Sequence, residues 1–193
     1  MRKITPRAMP VQPLMSGSAA VRHRSRGARE TALSELSACA RVRLVGLGFR
    51  GWMHGLETGD LNHWAGVCRR FTATMGKPHA SESLARLADW VTTLERTRAR
   101  RITVAPPGCE RLCRDECIAV AVIAAAQREP CPAMRACAYA LVGSANIDPM
   151  ISEAERFAAA LGAAGVTVPL TTVGDPELAV STKPCATKTP SVC

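Results

Sequence analysis

Along the middle of the chain apolar residues recur at spacings of three and four, the period of helices that bury one side. Leu36, Ala40, Leu44 and Leu47 mark a first helix from Leu33 to about Leu56. Gly46 and Gly48 weaken it, each by about 0.8–1 kcal/mol relative to alanine. Gly59 is placed to end this helix and Asp60 to cap the next. Leu61, Trp64, Cys68, Phe71 and Met75 predict a second helix from Leu61 to Met75, stopped by Gly76 and Pro78. A third is predicted from Glu82 to about Ala99, with Ser81 as its N-cap and Leu84, Leu87, Val91 and Leu94 turned inward.

The stretch from Arg101 to Gly108 reads as a connector, because Pro106-Pro107-Gly108 forbids helix. A fourth helix is predicted from Cys109 to Gln127. Its second half, Ile118 to Ala126, is apolar on every side, which makes it the central element. Pro130-Cys131-Pro132 turns the chain into a fifth helix, Ala133 to Val142. Asp148-Pro149 opens a sixth that runs to about Ala164. The expected fold is therefore all-α, a compact bundle of five or six helices over residues 33–168. Residues 1–32 and 169–193 lack any apolar period and are expected to be a disordered basic arm and a disordered tail.

Composition supports a globular domain, with 47% hydrophobic and 21% charged residues. Aromatics are only 4%, so the core must be built mainly from Leu, Val, Ile, Ala and Cys. The formal charge of +9 suggests nucleic acid until it is placed along the chain. Residues 1–40 hold seven basic residues against two acidic ones, so more than half of the excess lies in or beside the arm. Such an arm attracts polyanions without specificity, and nucleic-acid binding beyond that is not expected. No apolar run reaches the roughly 20 residues that span a bilayer, and no signal-type apolar segment follows Met1. A membrane role is not expected. Nine cysteines in such a chain point to reduced thiols and a cytoplasmic location.

One constellation offers chemistry: Cys109, Cys113 and Cys117, spaced by four residues, with Cys131 and Cys137 beyond them. Thiolates at this spacing are candidate ligands for zinc or an iron–sulfur cluster. A helix start near Cys109, with Arg111 and Arg114 close by, would also lower a thiol pKa and create a redox centre. Against this, Cys109 and Cys117 lie about 12 Å apart along one helix, whereas sulfurs on one zinc sit about 4 Å apart. They converge only if the helix begins after Cys109. Cys113 and Cys117 also share a face with Val120, Ala121 and Ala124, opposite Arg111 and Asp115, where cysteine serves as a small core residue.

Three further groups carry weaker leads. His54 and His63, with Glu57 or Asp60, could hold a metal or simply finish helix ends. Trp52, Trp64 and Trp90 fit core packing better than a ligand wall. The run Arg96, Arg98, Arg100, Arg101 is expected to be a solvated helix end. No nucleotide loop, nucleophile elbow or His-Glu-x-x-His stands in the sequence, which weighs against an enzyme without excluding one, because helical sites can be assembled without a motif. The expected function is a non-enzymatic protein-interaction module that uses an exposed apolar groove or self-association to complete its core. A cysteine-based metal or redox protein and a weak nucleic-acid binder acting through the arm are the alternatives.

Overall fold

The computed structural model describes residues 38–128 and 132–170. The predicted arm, the first turn expected from Leu33, Cys131, and the tail with Cys185 and Cys193 lie outside the described residues. Six helices follow in order: α1 (Ala38–Thr58), α2 (Leu61–Met75), α3 (Lys77–Thr97), α4 (Arg114–Ala126), α5 (Pro132–Val142) and α6 (Asp148–Ala163). Among the described residues there is no strand, and no helix is long and apolar enough to cross a membrane. The architecture is the all-α bundle that the periodicity predicts.

Local chemistry sets most boundaries. Gly59 adopts φ 70° after α1, and the Asp60 carboxylate accepts the Asn62 N–H at 2.9 Å to open α2. Two predicted starts are corrected. Helix α3 begins at Lys77 rather than Glu82, so Ser81 lies inside its first turns and does not cap it. Pro78 is at the first turn, where its missing N–H has no helical partner to lose, so it starts α3 instead of stopping α2. Gly76, at φ 77°, closes one helix and opens the next. Helix α4 begins at Arg114 rather than Cys109, with Cys113 as its N-cap.

Helix α1 meets α2 through glycines. A Cβ on Gly48 would stand 2.8 Å from the Phe71 ring, one on Gly51 would overlap Val67, and one on Gly55 would overlap the Trp64 indole. The matched spacing, Gly48, Gly51 and Gly55 against Phe71, Val67 and Trp64, makes the pair antiparallel and lays large α2 side chains on the α1 backbone. The glycines that lower α1 propensity are thus what permits the close approach.

Phe49, Phe71, Trp90 and Phe157, from four different helices, meet at the centre of the core. Their successive ring centroids are 5.5–6.5 Å apart. Scarce as they are, the aromatics are concentrated where they bury the most area. Helix α4 is buried from Ile118 to Ala125 on nearly every side and packs on α1, α5 and α6. The chain beyond α6 is fastened to the end of α4 by Gln127, which accepts the Val168 N–H and donates to the Val166 carbonyl, both at 2.7 Å.

Candidate functional site

The polar centre of the fold is built on the first turn of α4. Asp115 and Glu116 are buried there, 6% and 0% exposed. Each accepts a backbone N–H from the extended connector: Asp115 from Thr103 at 2.8 Å, Glu116 from Ala105 at 3.1 Å. Each also holds an arginine. Arg100 donates to both Asp115 oxygens at 2.8 Å. Arg50 of α1 donates to Glu116 at 2.6 and 2.9 Å, with both side chains out of solvent. Glu116 further accepts the Cys113 N–H at 2.7 Å, the backward reach of a capping box.

Arg50 also donates to the Cys109 carbonyl, and to the Arg111 carbonyl at 2.5 Å. The guanidinium therefore ties α1, α4 and the Pro106–Arg111 loop into one unit. Burial lowers its pKa, but the Glu116 carboxylate outweighs this and leaves it raised. A buried charge needs such pairing to be tolerated at all. This arrangement corrects the expectation for Asp115, which the helical wheel places on the outward face. Sequence reasoning did not single out Arg50. Its signal is a second cation seven residues after Arg43, on the helix face that also carries Leu47, Gly51 and His54.

The tied loop forms one wall of an open cleft of about 720 Å³. Helix α1 contributes Arg43, Leu47, Gly51 and His54, and α2 contributes Asn62, His63, Gly66, Val67, Arg69 and Arg70. Pro107, Gly108, Cys109 and Glu110 close the third side. The His54 Nε2–H donates to the Ala105 carbonyl at 2.9 Å, which fixes its tautomer. The His63 ring lies against it, centroids 5.4 Å apart. His63 approaches Asp60 at 4.0 Å. The exposed apolar side chains Leu56, Leu61, Tyr139 and Leu170 lie outside the cleft, whose lining includes Arg43, Arg50, Arg69 and Arg70 beside Leu47, Val67 and Pro107.

The three candidate cysteines fall in three settings. Cys109 is in the loop at the cleft, Cys113 caps α4, and Cys117 is one turn further in, packed against the core. Although α4 starts after Cys109, no group of three or more His, Cys, Asp or Glu is placed to hold a metal ion among the described residues. The thiol that stands at the observed helix start is Cys113 rather than Cys109. Burial first, and then the Glu116 charge, pushes the Cys113 thiol up to about 11 against the pull of the first-turn N–H groups. The Cys113 thiol donates to the Thr103 carbonyl instead. Cys117 is raised as well, by burial and then Glu116. Both are neutral thiols at pH 7, poor nucleophiles in that form.

Of the arginine run, Arg96 alone fits a solvated helix end with no ion pair among the described residues. Arg98 pairs with Glu95, Arg100 with Asp115 and Arg101 with Glu57. Trp90 is fully buried, and Trp52 and Trp64 pack on each other at 6.0 Å. No family model, no curated protein and no solved structure matches the chain.

Proposed function

We propose that this domain is a non-enzymatic interaction module that receives an acidic segment of a partner protein in the cleft between α1, α2 and the Pro106–Glu110 loop. The observation that supports the reading is the state of the arginines. Arg50, Arg86, Arg98, Arg100, Arg101, Arg135 and Arg156 all pair with carboxylates. Arg43, Arg69 and Arg70 line the cleft and, like Arg41, Arg96, Arg111, Arg114 and Arg128 elsewhere, have no ion pair among the described residues; Glu110 is the single carboxylate in the lining. Unpaired cations gathered in a concave surface repel one another and draw in anions, which raises association rate and selects partners by charge. Leu47, Val67 and Pro107 supply apolar surface beside them.

A single-stranded nucleic acid would ask for aromatic platforms. The only rings in the lining are His54 and His63, which lie against each other. The cysteine content favours a reducing, cytoplasmic setting for the module.

The test is fluorescence anisotropy of the full chain with a short Asp/Glu-rich peptide and a Lys-rich counterpart. The acidic peptide is expected to bind, with affinity falling as salt rises. Arg69→Glu with Arg70→Glu should weaken it about tenfold or more, a change of about 1.4 kcal/mol, at unchanged helicity. Undiminished binding in that double variant would assign the effect to the basic arm and overturn the reading.

A further inference from the structure

Resting on that reading, we infer that His63 gates the cleft by pH: a proton on its ring adds a cation to the α2 wall, so the acidic segment binds more tightly as pH falls from 8 to 5.5. His63 and Arg70 are seven residues apart on α2, about two turns, and therefore project the same way about 10 Å from each other. Gly66 stands between them. A Cβ built there would meet nothing within 4 Å except Arg69 Nη2, at 4.0 Å. The missing side chain leaves a floor along the helix. Three extended residues, at about 3.3 Å each, cover the distance from Arg70 to His63, so one short acidic run reaches both.

The setting of the ring lets its charge change without a change of fold. It lies against the His54 ring, with centroids 5.4 Å apart and planes tilted by 31°. The His54 Nε2–H is committed to the Ala105 carbonyl, which ties His54 to the connector. The His63 ring makes no hydrogen bond among the described residues. Its Nε2 stands 4.0 Å from the Asp60 carboxylate, too far for a hydrogen bond and close enough to attract a charged ring. Imidazole is the side chain whose ordinary titration falls between pH 5 and 8.

The sign follows from the charges that share the cleft. Helix α1 brings Arg43 and Arg50, and α2 brings Arg69 and Arg70. These cations repel a further proton. Asp60 at the head of α2 and Glu110 in the loop attract one, and the Cys109 thiol and the His54 ring are the remaining titratable neighbours. A bound acidic segment adds several carboxylates beside the ring and moves the balance toward the protonated form. Proton and segment therefore favour each other, and by the same factor.

The experiment uses the full chain and the Asp/Glu-rich peptide, with anisotropy measured from pH 8 to pH 5.5 at constant ionic strength. Carboxylates of ordinary pKa stay ionised over this range, so the peptide keeps its charge. Binding should be about fivefold tighter at pH 5.5 than at pH 8, the lower end of ordinary coupling between two ligands. Calorimetry at pH 6.5 in two buffers of different ionisation heat should show a fraction of a proton taken up per peptide bound. His63→Gln should flatten the pH profile and abolish the proton uptake. His63→Lys, with a permanent charge, should also be flat, and tighter than His63→Gln at pH 8. His79→Gln, exposed near the start of α3, and His23→Gln, outside the described residues, should keep the slope. Circular dichroism at each pH checks that every variant is folded.

Binding with no pH dependence overturns the inference while the acidic-segment reading stands. Failure to bind at any pH overturns both. A slope that survives in His63→Gln, or vanishes in His23→Gln or His79→Gln, puts the gate on another group and overturns the inference too.

Discussion

Asp115 shows how a single side chain can tune the fold to pH. Burial pushes its carboxyl up, but the Arg100 guanidinium and the Thr103 N–H outweigh that and hold it below the usual range. The unfolded carboxyl titrates near 3.9, so between the two values the unfolded chain binds more protons than the native one. The stability that Asp115 contributes is therefore complete above about pH 4 to 5 and is lost as pH falls through the lower, folded value. Asp115→Asn removes the contribution and should cost about 1–3 kcal/mol at pH 7, the range for hydrogen bonds to a charged group. The measurement is the urea midpoint of wild type and variant from pH 7 to pH 2. The gap should narrow at the acid end, and a gap constant across the range would show that the carboxylate charge is not what the connector and Arg100 hold.

At the level of elements, the glycines of α1 separate propensity from packing. Glycine to alanine in a helix normally gains up to about 1 kcal/mol. At Gly55 the added methyl would run into the Trp64 indole, and at Gly51 into Val67, so each substitution should destabilise by about 1–3 kcal/mol, the usual cost of overpacking. Gly162, near the end of α6, has nothing within 4 Å of a built Cβ and should instead gain stability on the same change. Thermal melting of the three variants checks the opposite signs. Matching gains at all three would mean that α1 and α2 do not approach through the glycines.

The same elements show what was legible in sequence. Helix α2 was readable end to end, because its apolar period is bounded by Asp60 and Gly76, residues whose local chemistry acts alone. Helix α3 was misread at its start because Pro78 serves equally as a breaker and as a first-turn residue. Only the chain around it decides which. The start of α4 was hidden because cysteine is an unusual cap; the spacing Cys113 to Glu116 has the form of a capping box with sulfur in the place of a hydroxyl. The cleft was the least legible. Arg43, Arg69 and Arg70 look like any solvated helical cations until two helices and a loop line one cleft with them, without an ion pair among the described residues.

Across the whole molecule, the buried carboxylates at the head of α4 are paired with Arg50 and Arg100, and the cleft beside them is lined by Arg43, Arg69 and Arg70, which form no ion pair among the described residues. The Arg50–Glu116 pair is the hinge between the two, since it fastens the loop that walls the cleft. Breaking it by Glu116→Ala leaves a buried guanidinium uncompensated and should cost about 3–5 kcal/mol. Its partners stand 66 residues apart in the chain. Joining them requires closing a long loop, and they can meet with good geometry only once α1 and α4 have already packed. That order of events predicts a kinetic asymmetry. In stopped-flow unfolding and refolding of Glu116→Ala, most of the lost free energy should appear as faster unfolding, with the folding rate nearly unchanged. Slowed folding would instead place the pair in the nucleus. Unfolding that carries the loss would make Arg50 and Glu116 a latch, closed last, that sets how long the finished domain stays shut.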